Sequence, residues 1–579
     1  MQWIQNYYAV GNNVFFTALC AVLPVVFLFW ALAIKKIKGY LAIFFTWLIT
    51  ILVAMFAYRM PATAVLSAAG YGAIQGIFPL CWLVFNAVFL YNLIIRSGNF
   101  EVIKSSIASI STDRRIQAIL IGFCFSAFLE GTTAQGAPVA IAAAMLIGLG
   151  FPVLPAAVVC LVGNTVPVPY GPVGMPTITM VNTAFSGVPG ALLAVTGSVG
   201  GVMCIYTLII PVFMLVVMCG WKAAKEVLPL CLVASISYVV PNFFITRYMG
   251  PELPSLLSPL VSLLFVIFFL KFWKPASVWH FEDEALAADD AQVKYSAGKI
   301  LYSWIPFILV TLFMVVWSLP AFKKFSAGLP FKIAIGPWPG LHGVVYRSAP
   351  IVKEPALYAA NFNFDLFAAV GTALLFISII TTLVFGMRGK VSTHPMQHCC
   401  SGLSAIVHKI RFSPFAEVFV LTFKQLKFAL LTMILVISIA HLSNYSGISF
   451  TLGLAFAATG PLFMVFSPLI GFLGVFLTGS VTSSGALFGN LQRVTAEQLG
   501  LNPLITITAS MTGAVMGKLV SPQSIAIGAA ATGLVGREGT ILNKTTKYAF
   551  ILLGIGVVIM LVLAYVFPGY FPAIAEVKK

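Results

Sequence analysis

Apolar runs of about twenty residues alternate with short polar punctuation along almost the whole chain. A helix needs roughly 20 such residues to cross a bilayer core of about 30 Å. The pattern predicts spans over residues 14–34, 39–59, 76–95, 198–219, 228–248, 256–272, 300–319, 366–387, 428–445, 461–479 and 549–567. Two regions do not fit it. In the first, the apolar run from Ile116 to Leu129 is short for a crossing and stops on Glu130. Gly131, Thr132, Thr133, Ala134, Gln135 and Gly136 follow, and Pro138 opens a second short run, as proline does at a helix N-terminus. This order predicts a re-entrant helical hairpin. Directly behind it, Gly163, Asn164, Thr165, Pro167, Pro169, Gly171 and Pro172 interrupt a helical segment that prolines cannot continue. Irregular backbone inside an apolar segment must line a polar cavity or be buried in protein.

The second irregular region, 480–536, repeats the first. FLEGTTAQGAPVAI, beginning at Phe128, lies over FLTGSVTSSGALFG at Phe476 to Gly489, and beyond the turns Gly150 pairs with Gly500, Gly163 with Gly513 and Pro172 with Pro522 at one constant offset. The flanking charges are reversed. Arg96, Lys104, Arg114 and Arg115 precede the first hairpin, whereas the span leading to the second follows Arg388, Lys390, Lys409, Arg411, Lys424 and Lys427. Basic loops face the cytoplasm, so the two halves are expected to be inverted. Inverted repeats with broken helices at matching places are the pattern of a secondary transporter whose site lies near the midplane. The expected fold is therefore an all-α polytopic membrane protein with two inverted repeats, re-entrant helical hairpins and broken helices. Its expected division is 1–115 for N-terminal helices, 116–220 for the first repeat core, 221–420 for central helices with polar loops, and 421–579 for the second repeat core and last helix.

Composition narrows the class. Of 579 residues, 60% are hydrophobic and 8% charged, against about 25% charged in soluble domains, and the mean hydropathy is +1.02. The lipid bilayer is thus a partner. The net charge of +17 sits in short clusters between apolar runs, which fits cytoplasmic loops and excludes nucleic acid. The nine cysteines are scattered and imply no disulfide framework. No cleavable leader is read at the N-terminus, which is expected outside the cytoplasm because Lys35, Lys36 and Lys38 follow the first span. The acidic stretch 273–299 reads as a solvated loop, 320–363 as an ordered external loop and the basic stretch 388–411 as a cytoplasmic one.

Of the sixteen acidic residues, Glu130 is the one deep in an apolar segment. A charged carboxylate there costs about 2.5–3.5 kcal/mol, so Glu130 is expected to carry a proton; the competing reading is that it bonds backbone amides of its own turn. Lys518 interrupts an apolar run just before Ser521, Pro522, Gln523 and Ser524. It is either the cation for an anionic substrate or a side chain reaching for the interface. Helix N-termini at the hairpin turns would present amides to a carboxylate. Thr132, Thr133, Gln135, Asn164, Ser480, Thr482 and Ser483 offer hydroxyls and amides for hydrogen bonding. Arg493 and Glu497 are four apart and suit a helix-face pair, and His441 suits a buried histidine. His394, His398, Cys399, Cys400 and His408 fit no zinc spacing, so no metal is expected.

At these residues the chain resembles the lactate permease family, bacterial proton-coupled carriers of lactate and related 2-hydroxy monocarboxylates such as glycolate. The resemblance runs over nearly the whole length: KSSI at Lys104 to Ile107, GFCFSAFLEG at Gly122 to Gly131, GAPVAI at Gly136 to Ile141, Asn164 and Thr165, GPELP at Gly250 to Pro254, SNYSG at Ser443 to Gly447, GVFLTGS at Gly474 to Ser480 and GKLVSPQSIAI at Gly517 to Ile527. Glu130, Asn164, Lys518 and Gln523 stand where the family has the same residue types. The turns differ: Gly131 to Gly136 replaces a small and aromatic turn, and Val481 and Gly485 replace an aspartate and an asparagine. The resemblance implies a bacterial inner-membrane carrier without a cofactor, taking up lactate or a related small 2-hydroxy monocarboxylate by proton symport. In that reading Glu130 couples the proton, and Lys518, Thr132, Thr133, Gln135, Asn164, Thr165, Ser480, Thr482, Ser483 and Gln523 bind substrate; a homodimer is compatible with it. A sodium-coupled carboxylate carrier of the same architecture is the alternative within the class. An intramembrane enzyme or a transport-like receptor is the alternative outside it, and would need a catalytic constellation or signalling domain that the sequence does not display.

Overall fold

The computed structural model describes residues 2–35, 37–132, 137–281, 295–318, 320–352, 354–385, 414–532, 534 and 538–572. Ten of its helices are long and apolar enough to cross a membrane. The N-terminal group is α1 (Val14–Phe29), α2 (Gly39–Leu52), α3 (Ala62–Arg96) and the short α4 (Asn99–Ala108). Asn13 starts α1 by accepting hydrogen bonds from the amides of Phe15 and Phe16, the ordinary use of asparagine at a helix N-terminus. The third span begins at Ala62, fourteen residues ahead of the expected Gly76. Small residues dominate that extra stretch and lower its hydropathy, and the helix bends at Phe78, before Pro79.

The first irregular region folds as α5 (Arg114–Thr132), α6 (Ala137–Gly148), α7 (Val153–Gly163) and α8 (Met175–Ala184). Helix α5 is longer than the apolar run Ile116 to Leu129 suggests, because its polar start is internally satisfied. Arg115 is fully buried, yet its guanidinium reaches Asp113 and Glu226 at 2.8 Å and the carbonyls of Ala223 and Ser277. Then come α9 (Ala191–Glu226), α10 (Leu228–Tyr248), α11 (Pro254–Phe269) and α12 (Ala297–Ser318).

The expected external loop is partly regular. It contains α13 (Pro320–Ala327) and four short strands, β2 (Lys332–Ile335), β3 (Val345–Arg347), β4 (Ala356–Leu357) and β5 (Phe362–Asp365). Strand β1 (Trp3–Ile4) pairs parallel with β3, so the N-terminal segment lies on the same face as this loop. The acidic residues Glu282 to Asp290, the basic stretch 388–411 and its histidines and cysteines lie outside the described residues.

The chain continues through α14 (Val370–Val384), α15 (Pro414–Ser446) and α16 (Ile448–Ala457). It then forms α17 (Phe463–Thr478), α18 (Val481–Gln498), α19 (Pro503–Lys518), α20 (Pro522–Thr532) and α21 (Glu538–Tyr565). The element order of the first irregular region recurs here: two packed arms, a helix, a break and a further helix. The two sets interlock reciprocally, since α8 packs on α18 and α20 packs on α6. Both sets also cross at glycine. A Cβ on Gly163 would run into the carbonyl of Gly122, and one on Gly513 into that of Pro468.

The two hairpins stand at opposite ends of the α9–α10 pair. The base of the first is tied through Arg115 to Ala223 and Glu226 at the C-terminal end of α9. At the base of the second, Asn502 donates to the carbonyls of Phe571 and Pro572, beside Tyr570, whose ring lies against Arg247 at the far end of α10.

Candidate functional site

The first hairpin and the breaks of both irregular regions meet inside the protein. Lys518 is the last residue of α19, where the loss of backbone partners and the helix dipole favour a cation. Glu130 lies near the described end of α5. The Lys518 ammonium donates to Glu130 Oε1 at 2.7 Å, and the two side chains are only 13% and 5% exposed. The same ammonium reaches Asn164 Oδ1 at 3.5 Å. Asn164, at the break after α7, turns its amide nitrogen to the carbonyl and hydroxyl of Ser126 at 3.3 Å. Three separate elements therefore converge on one charge pair. Glu130 Oε2 is buried and has no hydrogen-bond partner among the described residues. A buried polar atom left unmatched usually costs about 1–3 kcal/mol, and such exceptions call for an explanation.

The glutamate is held from behind. Val173 donates its amide to the carbonyl of Gly131 at 3.1 Å, and a Cβ on Gly171 would stand 2.6 Å from Glu130 Cγ. Ser255 donates to the carbonyl of Tyr170 at 2.7 Å. Val173 has φ of 49°, a left-handed conformation that costs a non-glycine residue roughly 1–2 kcal/mol and is tolerated where the surroundings over-determine it. Gly171, Val173 and Ser255 were not among the expected site residues. The irregular backbone of 164–174 was readable as a break, but nothing in the sequence assigned its contact to Glu130.

The remaining expected residues divide. Thr132 and Thr165 are buried, and their hydroxyls donate to the carbonyls of Leu129 and Val162, three residues before each. Ser480 caps α18 by accepting from the Ser483 amide at 3.2 Å. Thr482 and Ser483 are buried, whereas Gln523 is exposed at the start of α20, against Gly479. Thr133 and Gln135 lie outside the described residues. Arg493 pairs with Glu497 at 2.6 Å and also donates to the Ala184 carbonyl, as its spacing suggested. His441 is buried edge-on to Tyr71. Among the described residues no group of histidine, cysteine and acidic side chains could hold a metal ion.

Some ten apolar helices, two interlocked broken-helix units and a charge pair at their meeting point define a multi-pass membrane protein of the transporter class. Comparison with known proteins agrees: the family model for L-lactate permease matches residues 17–401 and 399–567. An L-lactate permease of Escherichia coli K12 is 40% identical over 576 residues, covering 98% of this chain and 100% of the relative. An L-lactate permease of Bacillus subtilis is 38% identical, covering 99% and 100%. The glycolate permease GlcA of Escherichia coli K12 is 39% identical, covering 98% and 99%. The chain belongs to the L-lactate permease family. Among solved structures, the Alcanivorax borkumensis YdaH transporter aligns at a TM-score of 0.42 and 13% identity over 86% of this chain and 88% of that one.

Proposed function

We propose that this protein carries L-lactate or a related small 2-hydroxy monocarboxylate across the bacterial inner membrane together with a proton. The observation that carries the reading is the buried pair of Glu130 and Lys518 at the meeting of the two halves. An ion pair taken out of water is held only where each charge compensates the other. A substrate carboxylate has the chemistry of the Glu130 carboxylate and competes with it for the same ammonium. Protonation of Glu130 neutralises one partner and leaves the Lys518 charge to the substrate, so proton and anion enter together and the site stays electrically balanced. Release of substrate on the other side returns Lys518 to a deprotonated Glu130. Glu130 Oε2, which has no hydrogen-bond partner among the described residues, is the atom that accepts the proton, after which the neutral carboxyl gives up its hold on Lys518. In this reading Asn164, which touches both Lys518 and Ser126, takes a substrate hydroxyl.

The opposed hairpin bases support inverted repeats, and with them a site reached alternately from either face. Uptake of labelled 2-hydroxy acids into proteoliposomes, with and without a pH gradient and with sodium replaced by potassium, tests the reading. Accumulation that follows the pH gradient and ignores sodium is expected. Accumulation that requires sodium would assign the coupling to that ion instead.

A further inference from the structure

Gly131 in the first hairpin and Gly479 in the second each meet the broken helix of their own half at an equivalent position, and the two contacts are built differently. The offset that pairs Pro172 with Pro522 pairs Val173 with Gln523, while the hairpin alignment pairs Gly131 with Gly479. In the first half the contact is backbone to backbone. The Val173 amide donates to Gly131, Val173 is fully buried in its left-handed conformation, and a Cβ on Gly131 would stand 2.5 Å from the Ser255 carbonyl oxygen. Packing of that density has no intermediate positions available to it.

In the second half the contact is a side chain. Gly479, with φ of 67°, donates its amide to Val475 within α17. What covers it is Gln523, whose Cβ would be 2.7 Å from a Cβ on the glycine. Gln523 is exposed, and its side chain makes no hydrogen bond among the described residues. The other bonds of the turn are local, from the Ser480 amide to the Thr478 hydroxyl and from the Ser483 amide to the Ser480 hydroxyl. They survive a movement of the tip as a unit.

From this asymmetry we infer that Gln523 is the closing residue of the substrate site: the Gly479–Ser480 tip lifts away from it to admit a carboxylate to Lys518, on the same broken helix, while the contact between Gly131 and Val173 stays fixed. The inference rests on Lys518 as the anion site. A movable amide over one tip gives the site an entrance, and the strained backbone contact at the other keeps Glu130 in register with Lys518 throughout.

Hydrogen–deuterium exchange on the full-length protein in lipid nanodiscs tests this, followed over peptides 476–484, 126–132 and 171–175. Without ligand, the amides of the second tip should exchange at least about tenfold faster than those of the first, as local opening requires. Gln523→Ala should speed the second tip about fivefold or more and leave the first unchanged. Saturating L-lactate, its binding measured separately on the same preparation, should slow the second tip alone. Equal exchange at the two tips, or no response of the second tip to Gln523→Ala, overturns the inference. If L-lactate does not bind, the functional reading fails, and the two ligand-free comparisons still decide which tip moves.

Discussion

Glu130 and Lys518 form a 2.7 Å ion pair although one belongs to the first irregular region and the other to the second. Among the described residues neither charge has a comparable ion-pair partner within its own half, so the pair joins the first hairpin electrostatically to the break of the second half. Its energetics follow from burial. A lone charge there is expensive, whereas two neutral groups of similar size are not.

The pair should therefore behave as a unit in stability. Lys518→Met leaves the Glu130 carboxylate buried and alone, a loss of about 3–5 kcal/mol for a broken buried pair. Adding Glu130→Gln removes the orphaned charge and should recover most of that loss. Thermal melting of both single variants and the double variant in one detergent measures the coupling. Additive losses would mean that the contact is incidental.

For binding, Lys518→Met should raise the apparent substrate constant at least about tenfold, or about 1.4 kcal/mol. Membrane insertion and expression should be retained. Unchanged affinity in the purified variant would make Lys518 a structural cation.

Glycine substitution separates backbone crossings from open positions. Gly513→Ala should destabilise the protein by at least about 1–3 kcal/mol, the usual range for overpacking, because its Cβ has nowhere to go beside the Pro468 carbonyl. Gly528, in the helix after the break, has nothing within 4 Å of the corresponding position. Gly528→Ala should be neutral or stabilising by roughly 0.4–1 kcal/mol through the unfolded chain. Melting temperatures that fall equally for both would remove the crossing as the cause.

Topology has a direct test. Thr112 and Leu462 are exposed residues just before the two hairpins, Leu462 being 64% exposed. Gln117, nearer the start of the first apolar run, is buried against Ser111 and Arg114 and would resist labelling. Single cysteines at Thr112 and Leu462 in a cysteine-free background should react with impermeant maleimide from opposite sides of the membrane. Labelling from one side would contradict the inversion of the repeats.

Much of this architecture was legible in the sequence because a bilayer imposes a simple rule on segment length. Leu228–Tyr248 agrees with the apolar pattern residue for residue. The breaks around Asn164 and Lys518 announced themselves through proline and glycine. The beginning of α3 did not, since small residues pack helices together without raising hydropathy. The start of α5 was hidden for another reason: Arg114, Arg115 and Gln117 look like loop residues until Asp113, Glu226 and the Ser277 carbonyl are brought to them by distant segments. The site was legible as a set of residue types. Glu130 and Lys518 each stood out as ionisable groups in apolar surroundings, but their pairing depends on how the two halves interlock, and no local pattern encodes that. The support from Gly171, Val173 and Ser255 is carried by backbone contacts, which leave little trace in side-chain chemistry.

Coupling is where the pair makes its sharpest demand. Glu130→Gln keeps the shape and hydrogen-bonding capacity of the side chain while fixing it in a neutral state, so the Lys518 ammonium no longer has an internal carboxylate to return to. A carrier in that condition resembles the permanently protonated one, and it should still exchange internal for external substrate, since exchange requires no proton release. Net uptake is different. Each cycle must bring back an empty carrier, and an empty carrier with Lys518 buried and unpaired carries the cost of an uncompensated charge, which raises the population barrier to reorientation. The variant should therefore retain exchange of labelled L-lactate and lose accumulation driven by a pH gradient, both measured on one reconstituted preparation. Gradient-driven accumulation at the wild-type level would show that the proton travels elsewhere. Loss of both activities with a normal melting profile would leave Glu130 as a support for Lys518 and no more.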